Sequence, residues 1–417
     1  MELNSAQSIS DNSNCDQCIG DRKTKAKKKP REFDFFRFPK RRIALMFLYY
    51  GWDYDGLVVQ QSTEKTVEEE MKKALLKTRL IEKWSTCEWS RCGRTDKGVS
   101  AFKQVASLVV RSTDPDSPEI FWSEESCPKS RISGPRSELQ YIKILNAVLP
   151  KSVRVLAWAS VPQDFSARFS CKERVYKYCF PRAGLNIKNM EEAGRLLEGE
   201  HDFRNFCRID NNHKRLNQSY SRTIYSCRLR VLSSHRPVDN STSKDTDDDE
   251  TPFDMIELTC RASGFLWNQI RSIVAVLYEI GRGKETKEVI TDLLDIAKTP
   301  CKPAYGISTA VPLCLFDCSY GDISLKWQWD IISLKSVISQ LLRLWSEFQS
   351  KAAMLSNMIG EIGTMIPEVA NDYSGLQTFL CPLRESQKEY VPIRKRPLCD
   401  SLETKRIKQQ AKCAKLS

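Results

Sequence analysis

The sequence predicts an α+β fold with a mostly antiparallel central sheet flanked by helices. Three observations carry this. Stretches with strand character and stretches with helical periodicity alternate irregularly, and several strands come in hairpin-like pairs. No G-x-G-x-x-G follows a strand, and there is no G-x-x-x-x-G-K-[ST], which argues against a Rossmann array, dinucleotide binding and nucleoside-triphosphate hydrolysis. At 417 residues and 41% hydrophobic, the chain has room for two or three domains, or for one large fold with insertions.

The elements follow in order. Residues 1–40 are a polar, basic leader in which 23–31 read K-T-K-A-K-K-K-P-R. Such a run is a solvated arm, a nuclear-import signal or an RNA-touching tail. An apolar strand covers 42–50 and stops at Gly51. Thr66 opens a helix with Glu69 three residues on, a capping box in which each side chain satisfies a free amide of the first turn. Val67, Met71, Ala74, Leu75 and Thr78 recur at helical spacing as its buried face. Strands are expected at 87–91 and 102–110, where Val105, Ser107 and Val109 alternate with Ala106, Leu108 and Val110. Residues 112–135, rich in Ser, Pro and Asp, read as loop. A helix over 138–149 stops at Pro150; 153–161 and 173–180 are strands, and 189–197 is a short helix. Strands at 222–232 and 253–261 flank 233–252, whose D-T-D-D-D-E run at 245–250 marks an acidic, disordered insertion.

A long helix is expected over 264–281, with Leu266, Ile270, Ile273, Val274, Leu277 and Ile280 on one face, and another over 285–297 before Pro300. Beyond 322 the character changes. Leu334, Val337, Ile338, Leu341, Leu342, Trp345 and Phe348 mark an amphipathic helix running on towards Met358, expected to pack on the core rather than to form a dimer surface. Residues 390–417 are basic with little apolar periodicity. These shifts divide the chain into a leader (1–40), an N-terminal half (41–150), a C-terminal half (151–321) and a helical extension with a basic tail (322–417).

The formal net charge of +12 favours a polyanionic partner, nucleic acid before membrane. No apolar stretch reaches the ~18 residues of a membrane span, and the N-terminus lacks the apolar core of a signal peptide. The 16 cysteines are therefore expected as reduced thiols of the cytosol or nucleus. Cys15 and Cys18 make the one Cys-x-x-Cys, with no second pair near, and His201, His213 and His235 show no ligand spacing, so no metal is expected.

The most informative run is R-C-G-R-T-D-K-G-V-S-A-F at 91–102. It holds one carboxylate, Asp96, in a tight turn between Arg94 and Lys97, followed by Gly98. Asp bonds its own backbone in such turns and Gly accepts positive φ. A lone acid between two cations at a strand tip suits an anionic substrate, although a charged turn taken alone is more often just solvated. Three segments belong with it. Residues 165–180, F-S-A-R-F-S-C-K-E-R-V-Y-K-Y-C-F, interleave Arg168, Lys172, Arg174 and Lys177 with Phe169, Tyr176 and Tyr178. Cations fit phosphates, and rings stack on exposed bases at about 1–3 kcal/mol each; the same tyrosines also suit an ordinary strand with satisfied hydroxyls. In G-E-H-D-F-R-N-F-C-R at 199–208, His201 and Asp202 form either an acid–base pair or, more commonly, the cap of a loop. In S-G-F-L-W-N-Q-I-R at 263–271, Arg271 lies off the apolar stripe, either reaching a site at the helix end or solvated.

Together these segments resemble the TruA family of pseudouridine synthases. G-R-T-D-K-G-V-S-A at 93–101, S-A-R-F-S followed by Y-K-Y, and G-F-L-W-N-Q-I-R agree with the family's motifs in order and spacing, over about 41–320. The chain looks closest to the eukaryotic tRNA pseudouridine 38/39 branch, on the full 91–102 run, the run extended to P-R-A at 181–183, H-D-F-R-N-F-C at 201–207, and K-R-P-L-C-D-S-L-E from Lys395. Bacterial members commonly carry a Tyr or His and then Met-Val-Arg where this chain has Trp267, Asn268, Gln269 and Ile270 before Arg271.

The resemblance implies the pseudouridine synthase fold, with 41–150 and 151–321 as two catalytic subdomains about a cleft. It implies isomerisation of uridine to pseudouridine at positions 38/39 of the tRNA anticodon stem-loop, with no cofactor, nucleotide or metal. Asp96 would be the catalytic carboxylate, Arg94 would fill the space left by the flipped uridine and contact its phosphate, and Arg271 would pair with Asp96 and orient it. Tyr176 would stack on the flipped base, Lys97 and Gly98 would shape the turn against the substrate, and Arg168 would bind it. The partners implied are tRNA, held mainly through phosphates and shape, and a second copy of the chain. The basic tails suggest the nucleus with a cytoplasmic pool.

The chemistry agrees with these roles. Extruding a stacked nucleotide costs a few kcal/mol, which a cation filling the gap offsets. An Asp beside a guanidinium is ionised at neutral pH. The reaction breaks N1–C1′, turns the base, joins C5 to C1′ and releases the C5 proton. Asp96 could add to C1′, add to C6, or take a ribose proton to give a glycal; the resemblance favours the last. Three other readings are weighed. A non-catalytic tRNA-binding or chaperone protein would not be expected to keep Asp96, Arg94, Tyr176 and Arg271 together. An RNA methyltransferase with Cys92 as nucleophile lacks a glycine-rich cofactor turn, and Cys92 suits a small buried filler. A synthase of the same family acting at other tRNA positions stays open.

Overall fold

Strand β1 (Lys40–Tyr49) is apolar from Ile43 to its end because both of its faces are covered there. Ile43, Leu45, Phe47 and Tyr49 enter the main core, while Ala44, Met46 and Leu48 enter two smaller clusters on the opposite face. The computed structural model describes residues 33–209, 216–233, 251–321, 323–370, 372, 374–380 and 389–414. The basic run at 23–31, Cys15 and Cys18, His213, His235 and the acidic run at 245–250 lie outside the described residues. The chain clusters into two units, Met1–Phe35, described at 33–35, and Phe36–Ser417, which holds everything below.

One sheet runs through this second unit. Its strands are β1, β2 (Ser90–Arg91), β3 (Ser100–Arg111), β4 (Ile120–Phe121), β5 (Val153–Ser160), β6 (Glu173–Pro181), β7 (Gly199–Asp202), β8 (Ser221–Ser233), β9 (Met255–Ala262), β10 (Leu313–Ser319) and β11 (Gln328–Trp329). The order is β11-β5-β1-β3-β10-β6-β9-β8-β7, with β2 on β3 and β4 on β1. Every described pairing is antiparallel except β10 with β3, where Cys314 and Leu315 lie opposite Ser100 and Ala101. On its other edge β10 pairs antiparallel with β6. This strand, which the sequence reading does not include, joins the half that carries Asp96 to the half that carries Tyr176.

Helices α1 (Val67–Lys77), α2 (Tyr141–Asn146), α3 (Ile187–Arg195) and α4 (Gln269–Gly281) contribute the main core's helical layer. Thr66 caps α1 by accepting from the Glu69 amide at 3.3 Å. The reciprocal arm of the expected box goes elsewhere: the Thr66 amide donates to Glu64, and the Glu69 carboxylate takes Lys72. Helix α2 begins three residues later than expected. Glu138 is held by the Ser112 hydroxyl at 2.6 Å, the Thr113 amide at 3.1 Å and Arg41 at 3.2 Å, which pins it outside a helical turn. Helix α4 begins five residues late, for a reason that belongs to the site. Helix α5 (Glu288–Leu294) is a shortened form of the helix expected over 285–297.

One expectation for the extension needs correction. Helix α6 (Ile331–Met365) does not pack along its length on the core. Val337 is its buried residue, with Leu334 and Leu341 partly covered against Met46, Leu48 and Leu156. Ile338, Leu342, Trp345, Leu355, Ile359 and Ile362 are exposed, because the sheet ends before the helix does. After α7 (Ser374–Leu380), the basic tail, in which the sequence shows little apolar periodicity, is built into the fold. The Cys399 amide donates to Lys302, the Ala304 amide to Pro397, and Ile393 and Leu402 are buried. Helix α8 (Leu402–Ala414) reaches back through Lys405 to the Ile209 carbonyl at 3.4 Å and through Arg406 to Leu216 at 3.1 Å. Two apolar anchors and backbone pairing leave no periodic pattern to read.

Candidate active site

The loop between β2 and β3 is fixed before it reaches Asp96. Buried Glu68, in the first turn of α1, accepts from the Trp89 indole at 2.8 Å and the Val59 amide at 3.1 Å and pairs with Arg91. Burial pushes the Glu68 carboxyl up, and the Arg91 charge opposes this. Buried Gln104 then grips both polar groups of Gly93, donating to its carbonyl at 3.0 Å and accepting from its amide at 3.2 Å. The Thr95 hydroxyl meets the Tyr49 hydroxyl at 2.6 Å, and the Thr95 carbonyl accepts from the Leu57 amide at 3.1 Å. Asp96 to Val99 closes a turn with the Val99 amide on the Asp96 carbonyl at 3.1 Å, and Gly98 takes φ +79 at its third position. That position suits Gly and few other residues.

The Asp96 carboxylate points across to the other half of the fold. The Trp267 indole donates to Oδ1 at 3.1 Å and the Asn268 amide to Oδ2 at 2.6 Å. Both residues lie in the irregular segment ahead of α4. Asn268 is the N-cap in the left-handed conformation, φ 59, which Asn adopts more readily than other residues with a side chain. This is why the helix starts at Gln269 and not at 264: its first turn is opened to present Trp267 and Asn268 to the acid. In the sequence both stand only as a departure from the bacterial pattern, with no role of their own. Their amide and indole donors, five or fewer residues ahead of Arg271, were the available signal.

The other expected residues gather with differing commitments. Burial draws the Arg271 guanidinium down and the Asp96 charge draws it back, which places the two in each other's field. Arg271 Nε donates to the Ser308 carbonyl at 2.7 Å. Tyr176 is buried, edge-on to Phe265 at 5.1 Å, and a Cβ on Gly93 would stand 3.7 Å from its hydroxyl. Burial, with a smaller contribution from Asp96 among other neighbours, keeps its phenol well above the ordinary value and so neutral. Arg94 is exposed, and among the described residues its guanidinium has no hydrogen-bond or ion-pair partner. Lys97 is turned away to Asp55 at 2.8 Å, so it ties the turn to the 51–56 loop. Arg168 is exposed and stacks over Phe169 at 5.2 Å.

Other basic and acidic candidates serve the framework. Lys177 pairs with Glu257 at 3.1 Å and lies over Phe316 at 4.0 Å, so it does not offer its charge to a phosphate. His201 contacts the Glu198 carbonyl at 2.9 Å, and Asp202 holds the Arg204 amide and guanidinium, which makes the pair a loop cap. The same segment reaches the site one step later. Arg208 stacks on the Trp267 ring at 4.6 Å and its amide donates to the Trp267 carbonyl at 2.8 Å.

The arrangement can present a carboxylate, oriented from both oxygens, beside a neutral aromatic ring and an exposed cation. Residues 193–321 match the family model described as tRNA pseudouridine synthase. The chain is 44% identical over 388 residues to a probable tRNA pseudouridine synthase of Caenorhabditis elegans, covering 92% of this chain and 93% of that one. It is 37% identical over 404 residues to the tRNA pseudouridine(38/39) synthase of Homo sapiens, covering 94% and 81%. It is 32% identical over 320 residues to tRNA pseudouridine synthase A of Methanosarcina mazei, covering 76% and 98%.

Proposed function

The chain belongs to the tRNA pseudouridine synthase family, and we propose that it isomerises uridine to pseudouridine at positions 38 and 39 of the tRNA anticodon stem-loop, with Asp96 as the catalytic carboxylate. The observation that carries this is the hold on Asp96. Donors from Trp267 and Asn268 fix both of its oxygens, and charge-assisted bonds of this kind favour the ionised form. An ionised, oriented carboxylate can either bond to carbon or take a proton, the two capacities the isomerisation needs. Arg94, exposed and without a hydrogen-bond or ion-pair partner among the described residues, is suited to fill the gap left by the extruded uridine and meet its phosphate. Tyr176 is suited to the base, and Arg271 to keeping Asp96 charged. The C5 proton leaves to solvent, so release of tritium from C5-labelled tRNA measures the reaction. Mapping pseudouridine in tRNA from cells lacking the protein tests the positions; unchanged 38 and 39 would overturn that assignment.

The second copy of the chain is proposed to dock on α6. Ile338, Trp345, Ala352 and Ile359 recur every seven residues, as do Phe348, Leu355 and Ile362, which is the seam of a coiled coil or helical bundle. Trp345 is 60% exposed. The double variant Trp345→Glu, Ile359→Glu is expected to sediment as a monomer and the unaltered chain as a dimer. Identical sedimentation of the two would remove α6 from the interface.

A further inference from the structure

We propose that Arg174 is a positioning residue for this reaction, a clip that holds three loops of the site in register; the inference rests on reading the site as one that forms pseudouridine. Arg174 lies on β6 two residues before Tyr176, so the two side chains leave the same face of the strand. Its backbone is held on both edges, opposite Cys318 of β10 and Ala262 of β9. The side chain therefore starts from a rigid base at the junction of the two halves.

The guanidinium spreads over three carbonyls from three separate segments. Nη1 donates to Ser263 at 3.0 Å, and Nη2 donates to Arg168 at 2.9 Å and to Cys92 at 3.2 Å. Each acceptor stands at the root of a loop that supplies the site. Cys92 begins the run to Arg94 and Asp96. Ser263 begins the run to Trp267 and Asn268. Arg168 precedes Phe169, whose ring is 78% exposed beneath the Arg168 guanidinium. Among the described residues no carboxylate lies within ion-pair distance of Arg174, so its charge is not there to neutralise an acid. What it supplies is geometry. A guanidinium holds its N–H groups in a fixed planar fork and reaches acceptors on several sides, which an ammonium on a flexible stem does not reproduce.

Without the clip, the carbonyls of Ser263 and Cys92, in partly buried bonds, and that of Arg168, in an exposed one, lose a donor. The loop of Asp96 and the loop of Trp267 and Asn268 would then depend more on the bonds to the reacting carboxylate itself for their alignment with each other. Those bonds must adjust when substrate arrives, so alignment would loosen when it matters. A displacement of about 1 Å at a reacting group can cost about 10²-fold in rate.

The test uses the full chain, single-turnover tritium release from C5-labelled tRNA, and equilibrium tRNA binding. Release by the unaltered chain tests the reading of the site by itself, so failure there is distinct from failure here. Arg174→Lys is expected to lower the single-turnover rate about 100-fold while tRNA affinity stays within about threefold, because binding surface and charge are kept. Ethylguanidinium in the buffer is expected to restore part of the rate of Arg174→Ala and none of the rate of Asp96→Asn. If Arg174→Ala does not fold, Arg174→Lys decides. A rate for Arg174→Lys within about threefold of the unaltered chain, or a rate and an affinity that fall together, overturns the positioning role.

Discussion

Replacing Asp96 by Asn is expected to abolish pseudouridine formation, with a loss of about 10⁴-fold or more, while the protein stays folded. The two side chains have the same shape, and Asp96 is only partly buried. An amide neither bonds to carbon nor takes a proton at neutral pH, so both capacities of the carboxylate disappear together. The stability cost is set by the partners. Trp267 and Asn268 both donate to Asp96, and an Asn there turns an NH₂ group towards one of them. One opposed donor pair costs about 1–3 kcal/mol, which a chain of this size tolerates. Tritium release and pseudouridine mapping read the activity, and a thermal melt reads the fold. A rate within about tenfold of the unaltered chain would take Asp96 out of the chemistry.

The second large effect is expected at Asn268, where two substitutions separate backbone from side chain. Asn268→Gly keeps the left-handed conformation at no steric cost, since φ is 59 there. It removes the 2.6 Å donor to Asp96 Oδ2. A hydrogen bond to a charged group is worth about 1.5–3 kcal/mol, which corresponds to roughly a 10- to 100-fold slower reaction with stability little changed. Asn268→Asp replaces that donor with a like charge. Two carboxylates at this distance do not both ionise near neutrality, so the pair holds a proton and its second apparent pKa rises. The rate should fall further, by about 10²–10³-fold at pH 7, and recover as pH increases through that raised value. Single-turnover rates across pH check both. Superimposable pH profiles for Asn268→Asp and the unaltered chain would mean that Asn268 does not act on Asp96.

Much of this site was legible before any coordinates. The Asp-Lys-Gly turn announces itself because only a few residues accept its dihedral angles, and Gly98 has the positive φ that the turn requires. Strand β1 and helix α1 fall close to where the apolar run and helical spacing place them. Irregular elements were not legible. Strand β10 is seven residues long and touches β3 at two positions, too short a signature to register as periodicity. The C-terminal tail is held by a few backbone bonds and isolated apolar anchors, and nothing in its composition marks them. Helix α6 was recognised as amphipathic, but periodicity reports an apolar face and says nothing of what covers it.

The sequence by itself determined the chemistry available: one carboxylate in a glycine turn, an arginine on either side in the chain's order, and an aromatic on a strand. These depend on residue type and on local backbone preference, which neighbours in the chain settle. Only the tertiary structure decided that Trp267 and Asn268 hold Asp96 across 171 and 172 positions of chain, and that Arg174 joins three loops. Such contacts arise because β10 brings the two halves of the sheet edge to edge. That pairing is set by the burial of both faces of the sheet together, and no short stretch of residues contains it.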